Sequence, residues 1–436
     1  MKIKIEKLVF GGFGLGRQND GKSIFVYKSV PGDELEIKLT EDKKNFAKGI
    51  IKKILKPSPY RIEPKCLYFD DCGGCEHQNM SYKDQLRFKE EIFIETLDRQ
   101  GIKTKIEPIV AGSSAEFYYR NSIRFFFVTD SKNQVQFSRH NYLFEEGFVE
   151  IKKCLLQSET ADIILEKLKE YINQNIEDKS TFWQLKIREG KFTGQFMIEI
   201  ITKDYDLPNQ QGIVESLKTI DSIKSIYHTI ALGRSLKNLK RKLIFGSPII
   251  YEKIGKYKFQ ISPESFFQTN SMGVENLYNH IKSYADIKMG DTVLDLYCGT
   301  GTIGIYLSAM AKNVIGVESV REAVTDAKDN AKINNIQNCE FICSDVEKWL
   351  SNPSTVNSQP LTIIIDPPRA GLTPAIIRKL SAVNCQRIIY VSCNPSTFAR
   401  DIKEFEKYDI VLQKVVPIDM FPQTHHIECV GLLTKH

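Results

Sequence analysis

No stretch of this 436-residue chain approaches the ~18 consecutive apolar residues of a membrane-spanning helix, and its first residues lack the long apolar core of a secretion signal. A cytoplasmic protein with no membrane contact is therefore expected. Internal repeats and low-complexity tracts are also missing, which excludes a solenoid. What is present is the composition of a soluble globular protein, too long for one ordinary core, so two or three domains are expected. The formal charge of +6 is uneven, because 13 Lys/Arg against 7 Asp/Glu within residues 1–56 account for all of it. A basic module on a neutral body suits an anionic polymer, although a well-solvated surface would look the same. Ten cysteines in a reducing compartment point to metal binding and catalysis rather than disulfides.

One segment concentrates chemistry. In RIIYVSCNPSTFAR, residues 387–400, Ile388 to Val391 form an apolar run suited to a strand buried on both faces. Asn394 suits an N-cap and Pro395 a first helical position, so a helix should begin directly after Cys393. A thiol facing a helix N-terminus gains ~0.3–1 kcal/mol for its anion, which should lower its pKa from about 8.5. A buried structural cysteine is the plainer alternative. LTIIIDPPR, residues 361–369, predicts a second buried strand that delivers Asp366 to the same sheet edge. Glu428 stands on an otherwise apolar strand, where a carboxylate needs a partner or a task.

The last third is patterned as a doubly wound α/β unit. Thr292 to Tyr297 predicts a strand, CGTGTIG (298–304) a turn into a helix, and NVIGVE a strand ending at Glu318. Gly299, Gly301 and Gly304 fit a GxGxxG pattern that would suit NAD equally. A dinucleotide needs a pyrophosphate clamp, and none is apparent. S-adenosylmethionine offers an ammonium and a sulfonium, which prefer an acidic neighbour such as Asp295, and Glu318 suits ribose hydroxyls in either case.

The N-terminal module alternates as strands from Lys2 to Phe10, through SIFVYKSV and through ELEIKL, with turns at GGFGLGR and PGD, and so predicts a small β-barrel. Cys66, Cys72 and Cys75 follow in CLYFDDCGGC, with Cys154 as a distant fourth. Zinc and an iron–sulfur cluster both accept four thiolates, so spacing alone leaves both open. Ser81 to Gly101 predicts an amphipathic linking helix. The next 150 residues read as α+β, with strands in YYRNSIRFFFV, a hairpin turning near Gly190, and a helix over 158–173 with Ile163, Ile164, Leu168 and Ile172 on one face. Arg120 and Arg124 flank strand aromatics and are candidate RNA contacts.

DPPR, SCNP and HIEC, in that order, resemble the RNA (uracil-5)-methyltransferases that use S-adenosylmethionine, and residues 11–39 resemble the OB-like TRAM domain, an RNA-binding barrel. The resemblance implies a TRAM barrel over 1–58, a central α+β domain over 59–262 and a Rossmann-like class I methyltransferase domain over 263–436. It implies a [4Fe-4S] cluster on Cys66, Cys72, Cys75 and Cys154, as in the cluster-bearing branch of the family, with structural zinc as the runner-up. The five-residue gap between Cys66 and Cys72 does not match the three-residue gap of radical methylthiotransferases, which also carry TRAM. Cofactor contacts fall on Gln268, Tyr297, Thr302, Glu318, Asp345 and Asp366, with Thr302 standing where related rRNA enzymes commonly carry Asn. Cys393 becomes the nucleophile that adds to uracil C6 and Glu428 the general base. Phe266 or Phe267 would offer a stacking platform, and His425 or His426 would orient Glu428. Ribosomal RNA, 23S in the first place, is the expected target, with transfer RNA as the alternative, and a monomer is expected. A non-catalytic RNA-binding or redox-sensing protein on the same scaffold competes, as does a cytosine-5 methyltransferase, whose cysteine motif differs.

Overall fold

The computed structural model describes residues 1–141, 147–203, 205–233, 239–351 and 361–435. Six short strands form the first sheet, in the order Lys2–Lys4, Glu34–Asp42, Phe46–Lys56, Ser23–Tyr27, Phe13–Arg17, Lys7–Val9. It curls shut around Ile3, Ile5, Ile24, Val26, Leu35, Ile37 and Ala47. The closure explains the glycines of FGLGR. A Cβ on Gly14 would sit 2.1 Å from Ser29 Oγ, and one on Gly16 2.4 Å from the Lys4 carbonyl. The single strand expected over Lys2 to Phe10 is broken, because Ile5 N–H bonds Asp33 and Glu6 N–H bonds Leu15, so the chain changes edges there.

A second sheet, of seven strands among the described residues, spans Ser122 to Gly246 and includes the expected hairpin, Phe182–Gly190 with Gln195–Lys203. Helix Glu159–Asn175, capped by Ser158, covers it. Its buried face carries Ile164, Leu165, Leu168 and Ile172. Ile163, expected on that face, is 57% exposed, because the true stripe runs one position further along the turn.

The third sheet has nine strands among the described residues. Its parallel part runs Cys339–Cys343, Asn313–Glu318, Thr292–Leu296, Leu361–Ile365, Arg387–Ser392, followed by Glu428–Lys435, antiparallel, then Ile410–Asp419. Alternate residues feed two cores. Leu294, Ile363 and Tyr390 enter one, while Val293, Ile364 and Ile389 enter the other, which is why these strands read as unbroken apolar runs. Two short strands from the middle of the chain, Lys105–Ile106 and Val110–Ala111, complete the far edge. The linking helix Tyr82–Arg99, capped by Ser81, packs on the helix after Cys393, with the Phe93 and Phe398 rings 6.4 Å apart. No helix is long and apolar enough to cross a membrane among the described residues.

Candidate active site

The strand order reverses between Thr292–Leu296 and Leu361–Ile365, and a crevice at the carboxyl ends of such strands is the expected ligand site. A chamber of about 880 Å³ opens there, and Cys393, Asp366 and Glu428 all line it. Each arrives on a different strand. Cys393 follows Arg387–Ser392, and helix Pro395–Glu406 begins as expected, with the Asn394 side chain accepting from Ser396 N–H at 3.0 Å. Asp366 follows Leu361–Ile365, and Glu428 opens its own strand at 5% exposure.

The thiol does not behave as the helix terminus alone would dictate. Burial and then the neighbouring Glu428 and Asp366 push the Cys393 pKa up to about 11, with Arg369 pulling it back. A dipole effect under ~1 kcal/mol is outweighed by desolvation and two acids. Burial likewise raises Glu428 to about 8 and Asp366 to about 7. Because both acids keep protons that the unfolded chain releases, their contribution to stability is present below pH ~4 and lost as pH rises towards 8. Glu428→Gln should match the parent near pH 4 and exceed it near pH 8 by on the order of a few kcal/mol, since each tenfold change in proton affinity is worth ~1.4 kcal/mol. Denaturant unfolding at the two pH values tests this, and equal stability at both would refute the buried, protonated state.

Of the six expected cofactor contacts, Gln268, Tyr297, Glu318 and Asp366 line the chamber. Glu318 is pinned from one side, accepting from Val320 N–H at 2.9 Å and Gly299 N–H at 3.3 Å. Thr302 and Asp345 do not line it. Thr302 Oγ1 lies 2.6 Å from the Tyr278 hydroxyl, and Asp345 caps the short helix Val346–Trp349. Asp295, expected to face a cation, is fully buried and instead accepts from Gly304 N–H at 2.9 Å. Its place inside the strand fixes the glycine turn rather than the ligand. Phe267 is the core residue and Phe266, 66% exposed, stands on the chamber rim. Arg188 donates to the Ser262 and Ser265 carbonyls and Lys186 to that of Pro263, which anchors the loop carrying Phe266.

The rim between Ile410–Asp419 and Glu428 is held from the linking helix. Lys89, entirely buried, donates to Asp419 Oδ1 at 2.7 Å and to the Phe421 carbonyl at 3.2 Å. Gln85 and Gln423 exchange two hydrogen bonds of 2.9 Å. Glu76 accepts from His425 N–H at 3.1 Å. The hydrogen bonds of His425 and His426 run to Glu76, Thr424 and Arg369, not to Glu428, so the orienting role expected of them does not appear.

Arg120 and Arg139 also line the chamber, and Arg120 Nε is buried without a partner. Arg124 does not line it. Glu76, Arg139 and Arg369 escaped the sequence, although DPPR and CGGCE each carry one beside a recognised residue. Arg120 and Arg139 form a wall shared with a second, much smaller cavity, lined by Cys66, Cys72, Cys75 and Cys154. Burial pushes the Cys66, Cys75 and Cys154 thiols up, and Cys72 adds to it in each case. A cationic group beside them would relieve this. Among the described residues no three His, Cys, Asp or Glu side chains converge as they must around a single ion.

The family model for tRNA (uracil-5-)-methyltransferases matches residues 81–436, and that for the TRAM domain residues 1–52. Proteins named as uncharacterized RNA methyltransferases are similar over their full length. The one from Fusobacterium nucleatum is 38% identical, covering 100% of this chain and 96% of that protein, and one from Clostridium tetani is 35% identical, covering 98% and 94%. Among solved structures, the Pyrococcus abyssi tRNA (uracil-54, C5)-methyltransferase in complex with S-adenosyl-L-homocysteine is 30% identical over 99% of both chains, with a TM-score of 0.77.

Proposed function

The chain belongs to the RNA (uracil-5-)-methyltransferase family, an S-adenosylmethionine-dependent enzyme therefore, and from that premise we propose which residues do the work. The observation that carries the proposal is the meeting of Cys393, Asp366 and Glu428 in one chamber beside Phe266 and Gln268. The Cys393 thiolate, its proton lost to solvent, adds through Sγ to C6 of the uracil, which places electron density on C5, otherwise a poor nucleophile. S-adenosylmethionine would supply the methyl group that C5 takes and would leave as S-adenosyl-L-homocysteine. Glu428 then removes the C5 proton, and the C6–S bond breaks to release 5-methyluridine and restore the thiolate. Asp366, Gln268, Tyr297 and Glu318 hold the cofactor. The raised pKa values mean that the chamber on its own stores protons, and a sulfonium beside Asp366 lowers them by charge.

In this reading residues 1–58 grip RNA, 59–262 carry the cluster and 263–436 perform the transfer, in a monomer. The target uridine leaves its stack to reach the thiol, which costs least in a loop. Ribosomal RNA is the first candidate, and transfer RNA is the second because the Pyrococcus abyssi enzyme acts on it. Mapping 5-methyluridine in 23S rRNA and tRNA from a deletion strain tests both, and an unchanged map in all RNA would overturn the proposal.

A [4Fe-4S] cluster on Cys66, Cys72, Cys75 and Cys154 is the reading favoured for the small cavity. What supports it is that all four cysteines line one small cavity. Protein purified without oxygen should be brown and hold about four irons per chain. Cys154→Ser should lose the colour while binding S-adenosylmethionine as before, and one zinc with no iron would defeat the assignment.

A further inference from the structure

The turn between strand Tyr257–Ile261 and helix Ser271–Ala285 carries both Phe266, on the chamber rim, and Gln268, in the chamber wall. It belongs to no sheet, so its carbonyls need donors from elsewhere. One end of the seven-stranded sheet supplies them. The carbonyls of Ser262 and Ser265 both accept from the Arg188 guanidinium, that of Pro263 accepts from Lys186, and those of Gln268 and Thr269 accept from the Asn121 side chain and N–H. Arg188 and Asn121 are neighbours there, because Arg188 pairs with Ser122 across two strands and Glu189 N–H bonds the Asn121 carbonyl.

The two clamps act on opposite sides of Phe267, which is 4% exposed and packs its ring 6.4 Å from that of Phe259. Arg188 fixes the stretch that ends in Phe266. Asn121 fixes the stretch after it, donating to the Gln268 carbonyl and to Ser271 Oγ, each at 2.7 Å. Both side chains are buried, and neither lines the chamber. Burying a guanidinium is costly, and a neutral donor would satisfy a carbonyl as well, so stability alone does not call for Arg188. Its rigid fork holds two carbonyls of one turn at once, which a single donor cannot do.

We infer that Arg188 and Asn121 are separate positioning residues for the two ligands of one chamber, Arg188 setting Phe266 against the target base and Asn121 setting Gln268 against the cofactor. The inference rests on the uracil methylation proposed above. It makes the central sheet part of the geometry of the transfer, since a small displacement of such a turn is enough to misplace a bound group.

The test uses the full chain and protein-free RNA from a strain lacking the enzyme, with methyl-labelled S-adenosylmethionine. Arg188→Met should raise KM for RNA ~10-fold, from the loss of one stacked base, and leave Kd for S-adenosylmethionine unchanged. Asn121→Ala should do the reverse, raising Kd for S-adenosylmethionine ~10-fold as the Gln268 carbonyl loses its donor, with KM for RNA unchanged at saturating cofactor. Phe266→Ala alone should raise KM as Arg188→Met does, and adding Arg188→Met to it should raise KM no further, because Arg188 acts through that ring. A merely structural role would shift both constants together in either variant. That result overturns the inference, as does a parental KM for RNA in Arg188→Met or a further rise in the double variant. Should Arg188→Met not fold, Arg188→Lys carries the test, since it keeps the charge without the fork and should raise KM for RNA about threefold. A parental KM in that variant overturns the inference equally. Failure of the parent to methylate any of this RNA would instead refute the underlying function.

Discussion

Glu428→Gln should accumulate a methylated covalent adduct with RNA, while Cys393→Ala forms none. Without the thiolate, C5 is never activated, so Cys393→Ala should bind cofactor and RNA but give neither adduct nor product. In Glu428→Gln addition and methyl transfer still proceed, but the C5 proton stays in place and the enzyme cannot eliminate. Turnover should fall ~10²–10⁴-fold, the usual contribution of a positioned base. Denaturing electrophoresis with labelled RNA and methyl-labelled cofactor should show a slow band carrying both labels for Glu428→Gln only. Normal turnover by that variant would move the base elsewhere in the chamber. An adduct formed by Cys393→Ala would remove the nucleophile assignment altogether.

The second large effect is expected far from the chemistry. Lys89 and Asp419 are both fully buried and pair at 2.7 Å, so removing one partner leaves the other as an isolated charge. Lys89→Met should destabilise the protein by ~3–5 kcal/mol. The same change should reduce kcat, because Asp419 and Phe421 begin the rim segment that leads to His425 and Glu428. Lys89→Met with Asp419→Leu should recover much of the stability, since an apolar pair of similar volume replaces a buried ion pair at little cost. Denaturant unfolding of the three variants measures this. A loss below ~1 kcal/mol in Lys89→Met would place the pair among surface-like contacts.

What the sequence reveals of this site follows from how local each determinant is. The turn at Cys393 is legible because Asn394 and Pro395 act on the next few residues, and the buried strands are legible because both faces are covered. The thiol pKa is not legible, since the dipole is local whereas Glu428 and Asp366 reach Cys393 only through strand pairing. Asp295 and Asp366 look alike in sequence, and one residue inside its strand against one past the end decides which lines the chamber. Thr302 and Asp345 stand among the cofactor contacts by resemblance alone, yet their hydroxyl and carboxylate serve Tyr278 and a helix cap. Lys89 stands four and eight residues before Phe93 and Leu97, on the buried stripe of its helix, but a charge in that stripe does not by itself name Asp419 as its partner. Lys105–Ile106 and Val110–Ala111 are two residues each, too short for alternation to register, and only distant partners make them strands.

Those two short strands also set a timetable for biosynthesis. Thr104 donates to the Leu412 carbonyl across 308 residues, so at ~5–20 residues per second the ribosome takes roughly 15–60 s to deliver the partner. The strand opened by Glu428 comes later still, and it inserts between two strands already made. A nascent chain can thus display Cys393 and the glycine turn while lacking both Glu428 and the strand that joins the two edges of the sheet. The chamber is therefore closed only after Cys393 has been made, and chains cut short before that strand lack Glu428 and the strand that joins the two edges.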